Sequence, residues 1–282
     1  MAVLTISREF GSGGKDIGHA VAKLLGYDYV DRKRILDEMH KAGKQWEERA
    51  VHFDESYPGI PERYTWAFRG FVALDQSNIL EHALRDNVVI MGRGGSFVLK
   101  GVPYVLRLRV KAPLEQRINR VMEREGVNNE TARWLVEKVD NDMKRAVHLI
   151  YGKDLADPSE YDMVFDTGAQ TTGQIAALLK DALLERDKLK TDEAKAVLQL
   201  RALAARVKAA IATEPTFSIS VLDVEPKEEG LPQYGVVVRG IVHSREDIKR
   251  IEELARSVAG TNPVECQLHY RWYSRLGPQE FK

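Results

Sequence analysis

The chain is poor in the features that mark several common protein classes. It has one cysteine in 282 residues, Cys266, so no disulfide forms within it, and a lone thiol in a strand-like stretch reads as packing. No apolar run comes near the roughly 20 residues that a spanning helix needs. Neither sign of charge is in excess, with 42 Lys plus Arg against 42 Asp plus Glu, which argues against a protein whose main task is coating nucleic acid. The seven histidines fall in no metal-ligand spacing. The start lacks the charged end and long apolar middle of an export signal, so a cytoplasmic protein is expected. There is no repeat and no low-complexity tract.

What is present is a globular composition, 44% hydrophobic and 30% charged, long enough for one large or two ordinary domains. Val3 to Ser7 is a short apolar run ending in glycines, the pattern of a buried parallel strand. Ile17, Ala20, Val21, Leu24 and Leu25 then fall on one helical face, and Gly26 closes that helix. "YDYVD" reads as a second short strand. Residues 32–85 read as helical, broken by the prolines and glycine of "SYPGIPERY". "NVVIMG", "YVLRLRV" and "YDMVFD" read as further strands, with Pro113 opening a long helix and "TTGQIAALLKDALLERDKL" another. Strands alternating with helices predict an α/β fold with an open, mostly parallel sheet and flanking helices.

The composition changes near residues 186–195, where "ERDKLKTDEAK" predicts a charged helical linker. Beyond it the order is helix, strand, strand, helix, strand, with the polar turn "EPKEEGLPQ" between the two adjacent strands. This reads as a small α+β module over 196–272, followed by a loose tail, 273–282. The expected first domain is 1–185.

The stretch "REFGSGGKDIG" holds the chemistry. A strand, a glycine turn and a helix start make an anion site: unpaired first-turn amides point outward and the helix dipole favours negative charge. Gly11, Gly13 and Gly14 permit a close phosphate, Ser12 adds a hydroxyl, and Lys15 reaches the outer phosphates. Set against G-x-x-x-x-G-K-[ST], however, Glu9 replaces the first glycine and Asp16 replaces the Ser/Thr that touches Mg²⁺. In the alternative register Lys15 comes one place late, a turn of about 100° around the helix. A glycine turn without ligand remains the plainer alternative.

Together, "TISREFGSGGKDIG", "LGYDYVDRKRI", "VVIMGRGGSFVL", "VKAPLEQRINRVMEREG", "VDNDMKR" and "YGKDLADPSEYDMVFDTG" resemble the cytidylate kinase-like family, a branch of the P-loop nucleoside monophosphate kinases, from about residue 3 to 183. The resemblance implies ATP-dependent phosphoryl transfer to a nucleoside monophosphate such as CMP, or to a related small acceptor, with ATP and Mg²⁺ as cofactors. It places Gly11, Ser12, Gly13, Gly14, Lys15 and Asp16 on the donor phosphates. Asp31, Arg32, Arg93, Arg117, Asp162 and Asp166 fall on the acceptor side, and Lys15, Arg120, Lys144 and Arg145 on the moving phosphoryl group. No metal ligand is assigned; Ser12 or Asp16 would act through Mg²⁺-bound water. The plainer readings are a solvated helix face for Arg117, Arg120 and Arg124, a turn for Asp162, and a sheet edge or salt bridges for Arg107 and Arg109. Trp46 and Trp66 read as core or interface. The small module resembles a BON domain, which implies an unidentified protein or lipid partner. The alternative for the whole chain is a non-catalytic, nucleotide-binding regulator.

Overall fold

The computed structural model describes residues 2–43, 45, 46, 48, 49, 65–227 and 235–272. The chain divides into two compact units, Met1–Gly59 with Asn78–Leu198, and Ile60–Ser77 with Gln199–Lys282.

The first unit is built on a five-stranded sheet in the order β2-β3-β1-β4-β5. Its strands are β1 (Val3–Arg8), β2 (Asp28–Val30), β3 (Val88–Met91), β4 (Val105–Lys111) and β5 (Met163–Asp166), and every neighbouring pair is parallel. The helices are α1 (Gly14–Leu25), α2 (Arg32–Ala42), α3 (Trp66–Leu84), the single turn α4 (Gly95–Val98), α5 (Leu114–Glu125), α6 (Asn129–Tyr151) and α7 (Thr172–Asp187). The last two turns of α3 belong to this unit; its start, to Ser77, counts with the second.

β1 is central, and Val3, Leu4, Thr5 and Ile6 are wholly buried. Only a strand covered on both faces carries such a run. On one face Leu4 and Ile6 meet Ile17 and Val21 of α1 and Ile175, Leu179 and Leu183 of α7. Leu24, expected on that same face of α1, stands 51% exposed, because α1 ends at the next residue and Gly26 turns the chain away with φ 68°. A smaller core, Ile118 and Val121 with Ala132 and Val136, joins α5 to α6. Strand order reverses on either side of β1, and the crevice beyond the carboxyl ends of such strands is where ligands bind in open α/β sheets.

The second unit contains most of α8 (Asp192–Thr213), then β6 (Ile219–Lys227), β7 (Gly235–Val242), α9 (Arg245–Ala259) and β8 (Val264–Tyr270). β6 and β7 are antiparallel, β7 and β8 parallel. Leu203, Val207 and Ile211 of α8 and Ile251 and Ala255 of α9 pack on Val236 and Val238 of β7. The expected element order is therefore present. Two details differ from expectation. The charged stretch at 186–195 is two helix ends around a turn at 188–191, and β6 runs on through Pro226 to Lys227. A proline is tolerated there because β6 is an edge strand. The "SYPGIPERY" break, the rest of the β6–β7 turn and the tail 273–282 lie outside the described residues.

Candidate functional site

The loop after β1 is shaped by three glycines. Gly11 and Gly13 have φ of 78° and 80°, where side chains other than glycine's are strained. A Cβ on Gly11 would lie 2.9 Å from the Arg117 carbonyl oxygen, and one on Gly14 2.8 Å from the Arg8 Cβ. The loop also satisfies some of its own amides. Ser12 N donates to Glu9 O at 3.2 Å, Asp16 N and Ile17 N donate to Gly13 O at 3.1 and 3.2 Å, and Phe10 N donates to Asp140 Oδ1 at 2.9 Å. The amides of Gly11, Gly13, Gly14 and Lys15 have no acceptor among the described residues. They stand at the positive end of α1, whose cap, Gly13, offers no side chain to fill it.

Beside these amides lies a cavity of about 410 Å³ lined by Gly13, Asp16, Arg120, Thr167 and the β5–α7 loop, Gly168 to Thr172. Arg120 Nη1 donates to Thr167 Oγ1 at 2.8 Å and to Gly11 O at 3.4 Å. Thr167 Oγ1 in turn donates to Ser12 O at 2.8 Å. The guanidinium is therefore fixed on the cavity wall, and no described carboxylate pairs with it. The exposed Asp16 faces it from the rim, Lys15 is exposed, and the Ser12 hydroxyl is buried without a partner. Asp166 is exposed at the end of β5, and its Oδ1 accepts from Gly168 N at 2.7 Å.

Behind the loop stands an ionic buttress. Arg117 Nη1 donates to Asp140 Oδ2 at 2.5 Å and to Phe10 O at 3.3 Å. Its Nε lies 3.6 Å from Glu9 Oε2, the same oxygen that accepts from Ala112 N at 3.1 Å. Glu9, which breaks the P-loop pattern, thus ties the loop to the end of β4. Arg117 is spent on this framework, although it lies three residues from Arg120 on α5.

A second group of cations lies past β3. Arg93 has φ 57° between Gly92 at 75° and Gly94 at 72°, an uncommon conformation for a residue with a side chain. Tyr151, at the end of α6, packs on Gly94 and donates to Arg93 O at 3.4 Å. The Arg8 guanidinium lies over Gly92 and leaves no room there for a Cβ. Burial holds the Arg8 pKa below its usual value, Tyr29 and Asp31 oppose this, and the charges of Arg93 and Arg109 push it further down. Arg109 is 7% exposed. Its Nη1 donates to Ser7 Oγ at 2.8 Å, its Cζ stands 5.9 Å from the Tyr161 ring, and its Nε has no partner. β4 lies between β1 and β5, so the expectation of a sheet edge for Arg107 and Arg109 is corrected: parallel neighbours fill both sides. Arg107 does form the expected salt bridge, with Asp162 at 3.1 Å, whereas no described carboxylate pairs with Arg109.

The remaining candidates are more dispersed. Asp162 accepts from Arg107 N at 2.8 Å and pairs with Arg186 at 3.2 Å. Burial alone would raise its pKa, but the Arg107 hydrogen bonds and the two arginine charges hold it below the usual carboxylate range. Asp31 caps α2 by accepting from Arg34 N at 3.3 Å, and Arg32 is exposed at the start of that helix. Lys144 and Arg145 are exposed on α6, which contributes no residue to the cavity lining. Among the described residues no cluster of His, Cys, Asp or Glu could hold a metal ion, and no helix is long and apolar enough to cross a membrane. Trp46 is buried in the core. The sequence reading passed over Arg8, Asp140 and Thr167, and set Arg109 aside as a sheet-edge or salt-bridge residue. Arg8 had a visible signal, since it directly precedes the glycine loop; Asp140 and Thr167 act through contacts far away along the chain.

A strand, a glycine loop with open amides and a helix, on a 2-3-1-4-5 parallel sheet, define the P-loop kinase class of fold. The sequence profile of the cytidylate kinase-like family matches residues 3–169, and the chain belongs to that family. It is 30% identical over 196 residues to the cytidylate kinase of Methanopyrus kandleri, covering 66% of this chain and 96% of that one. It is likewise 30% identical over 182 residues to the cytidylate kinase of Pyrococcus abyssi, covering 64% and 93%. Among solved structures, an uncharacterized protein from Eubacterium ventriosum superposes with a TM-score of 0.52 at 22% identity, over 65% of this chain and 98% of that one, a likeness of fold. Membership in this family supports phosphoryl transfer of the kinase kind.

Proposed function

We propose that the first unit transfers the terminal phosphoryl group of ATP to a nucleoside monophosphate, with CMP the first acceptor to test. The observation that carries this reading is the set of four unclaimed amides, Gly11, Gly13, Gly14 and Lys15, at the start of α1, with Gly13 and the Arg120 guanidinium both lining the adjoining cavity. Amides and a helix dipole bind phosphate oxygens, and the adjoining β5–α7 loop leaves room for the donor nucleoside. Phosphoryl transfer needs mainly positioning and charge neutralisation. Lys15 holds the outer donor phosphates and Arg93 the acceptor, while Arg120, Lys144 and Arg145 neutralise the group in transit. Arg117, Asp140 and Glu9 hold the loop in shape.

The residues present fit a hydrated Mg²⁺. The exposed Asp16 carboxylate on the cavity lining is the oxygen available to it, through water, while the orphaned Ser12 hydroxyl is buried. When bound, the ion brings positive charge to the donor phosphate oxygens.

The test is ADP formation from ATP and Mg²⁺ with a panel of nucleoside monophosphates. Turnover with one matching acceptor is expected. Lys15→Ala and Arg93→Ala should each lower kcat/KM by about 100-fold or more. A second reading rests on Asp16, which stands where a hydroxyl normally meets the metal: a nucleotide-binding regulator without catalysis, whose second unit engages a protein or lipid partner. The helix–strand–strand–helix–strand order of that unit supports its reading as a BON-like module. Tight ATP binding with no turnover on any acceptor would favour the regulator.

A further inference from the structure

The sheet of the second unit has two edges, and they are not alike. β6 is guarded: Pro226 and Lys227 stand at its end, and Arg69 holds the carbonyl oxygens of Ile219 and Ser220 at its start. β8, on the other edge, runs for seven residues, Val264–Tyr270, with no proline, glycine, lysine or arginine. Soluble proteins guard or cover such an edge. The register with β7 fixes which groups of β8 are open. Pro263 O accepts from Val236 N, and Arg271 N donates to Val242 O. By the alternation of a parallel ladder, Glu265, Gln267 and His269 then spend their main-chain groups on β7. Those of Val264, Cys266, Leu268 and Tyr270 point outward, and among the described residues they meet no partner. Side chains alternate in the same way. Val264, Cys266 and Leu268 lie on the helix-covered face and are only partly buried. Tyr270, whose ring lies 4.9 Å from Arg245 Cζ, is 37% exposed. On the opposite face Glu265 pairs with Lys227, Gln267 accepts from Arg239 Nε at 3.0 Å, and His269 is exposed.

We propose that β8 pairs antiparallel with β8 of a second copy of this chain, about a twofold axis at Gln267. Hydrogen-bonded antiparallel pairs form only between outward residues, and this register alone uses all of those on β8. Val264 meets Tyr270 of the second copy, and Cys266 meets Leu268. Both are apolar pairs on the helix-covered face, where the core is half open at the sheet's edge. The positions between them are non-hydrogen-bonded, and there side chains come closest. Glu265 meets His269, a carboxylate opposite an imidazole donor. Gln267 meets itself, an amide that supplies both a donor and an acceptor. No like charges stand opposed. The strand is thus its own complement, which is what a twofold contact between identical surfaces requires. The pairing joins the two three-stranded sheets into one, with the helices of both copies on the same side. It leaves β6, the guarded strand, at both outer edges, so the assembly closes at two copies.

The test begins with sedimentation velocity of the full chain over a range of concentrations. A reversible dimer is expected; a monomer at every soluble concentration, or a species larger than a dimer, would overturn the proposal. His269→Glu sets two carboxylates opposite each other at both ends of the seam and should weaken the dimer at least tenfold. The register is read by cross-linking in a chain whose native thiol is removed by Cys266→Ala. Adding Gln267→Cys brings two thiol-bearing Cα atoms to about 4.5 Å, within disulfide reach, and mild oxidation should link most of the chain into covalent dimers. His269→Cys in the same background stands about 13 Å from its counterpart and should not cross-link. Gln267 and His269 are both exposed, and melting midpoints of the reduced variants show whether each is folded. If Cys266→Ala does not fold, His269→Glu decides. A dimer indifferent to His269→Glu, or equal cross-linking through both positions, would put the contact elsewhere and overturn the proposal.

Discussion

Asp162 and Arg93 mark the two ways a single residue was legible. Arg93 was visible because it follows a buried strand and sits among glycines; its left-handed backbone was not, since glycine neighbours permit that conformation without requiring it. Asp162 was visible as a charged residue near a strand, yet its partners Arg107 and Arg186 lie far away in sequence. Asp162→Asn should lower the unfolding free energy by roughly 2 kcal/mol at neutral pH, as expected when one member of a partly buried ionic hydrogen bond is removed. The folded-state pKa of Asp162 lies below its ordinary value, so its contribution is complete above the unfolded value of about 3.9. It is lost as pH falls through the folded value. Urea titrations should show the gap between the original chain and the variant closing below about pH 4; a gap independent of pH would count against the assignment. Arg117 and Arg120 carry the opposite lesson. Their spacing on α5 was plain, but which guanidinium met the cavity depended on Asp140, 23 residues beyond Arg117.

At the scale of elements, the parallel strands were legible because burial on both faces writes itself as short apolar runs ended by glycine. Less legible was the role of α6. One end of this helix, through Tyr151, touches the Arg93 turn, and its middle, through Asp140, holds the glycine loop after β1. Asp140→Asn keeps an acceptor for the Phe10 amide but loses the charge facing Arg117. ATP affinity should fall about tenfold, near 1.4 kcal/mol, with a smaller loss of stability, because the loop backbone would no longer be held in its phosphate-ready shape. Calorimetry with ATP checks this, and unchanged affinity would show that the loop holds itself. The end of β6 was misread for a physical reason: Glu225, Pro226 and Lys227 have turn-like composition, but an edge strand has one unpaired side and tolerates them.

For the whole molecule, the two cores are separate sets of residues, Leu4, Ile6, Ile17 and Leu179 in one and Val207, Val236, Val238 and Ile251 in the other. Scanning calorimetry should therefore resolve two transitions. ATP at about 100 times its dissociation constant should add about 2.7 kcal/mol to the first unit and leave the transition of the second in place. A single transition moved bodily by ATP would mean that the cores melt together. The division into α/β sheet and small α+β module was legible from the change in element order near residue 190. The assignment of the first turns of α3 to the second unit was not, because nothing local in "WAFRGF" announces a partner some 150 residues away.

That partnership has a practical outcome. Arg69 of α3 donates to the carbonyl oxygens of Ile219 and Ser220, both at 2.8 Å, where β6 begins at the rim of its sheet. Bare main-chain groups on such a rim invite a strand from another copy of the chain. Two carbonyls held by one side chain are closed to that visitor at this end of β6.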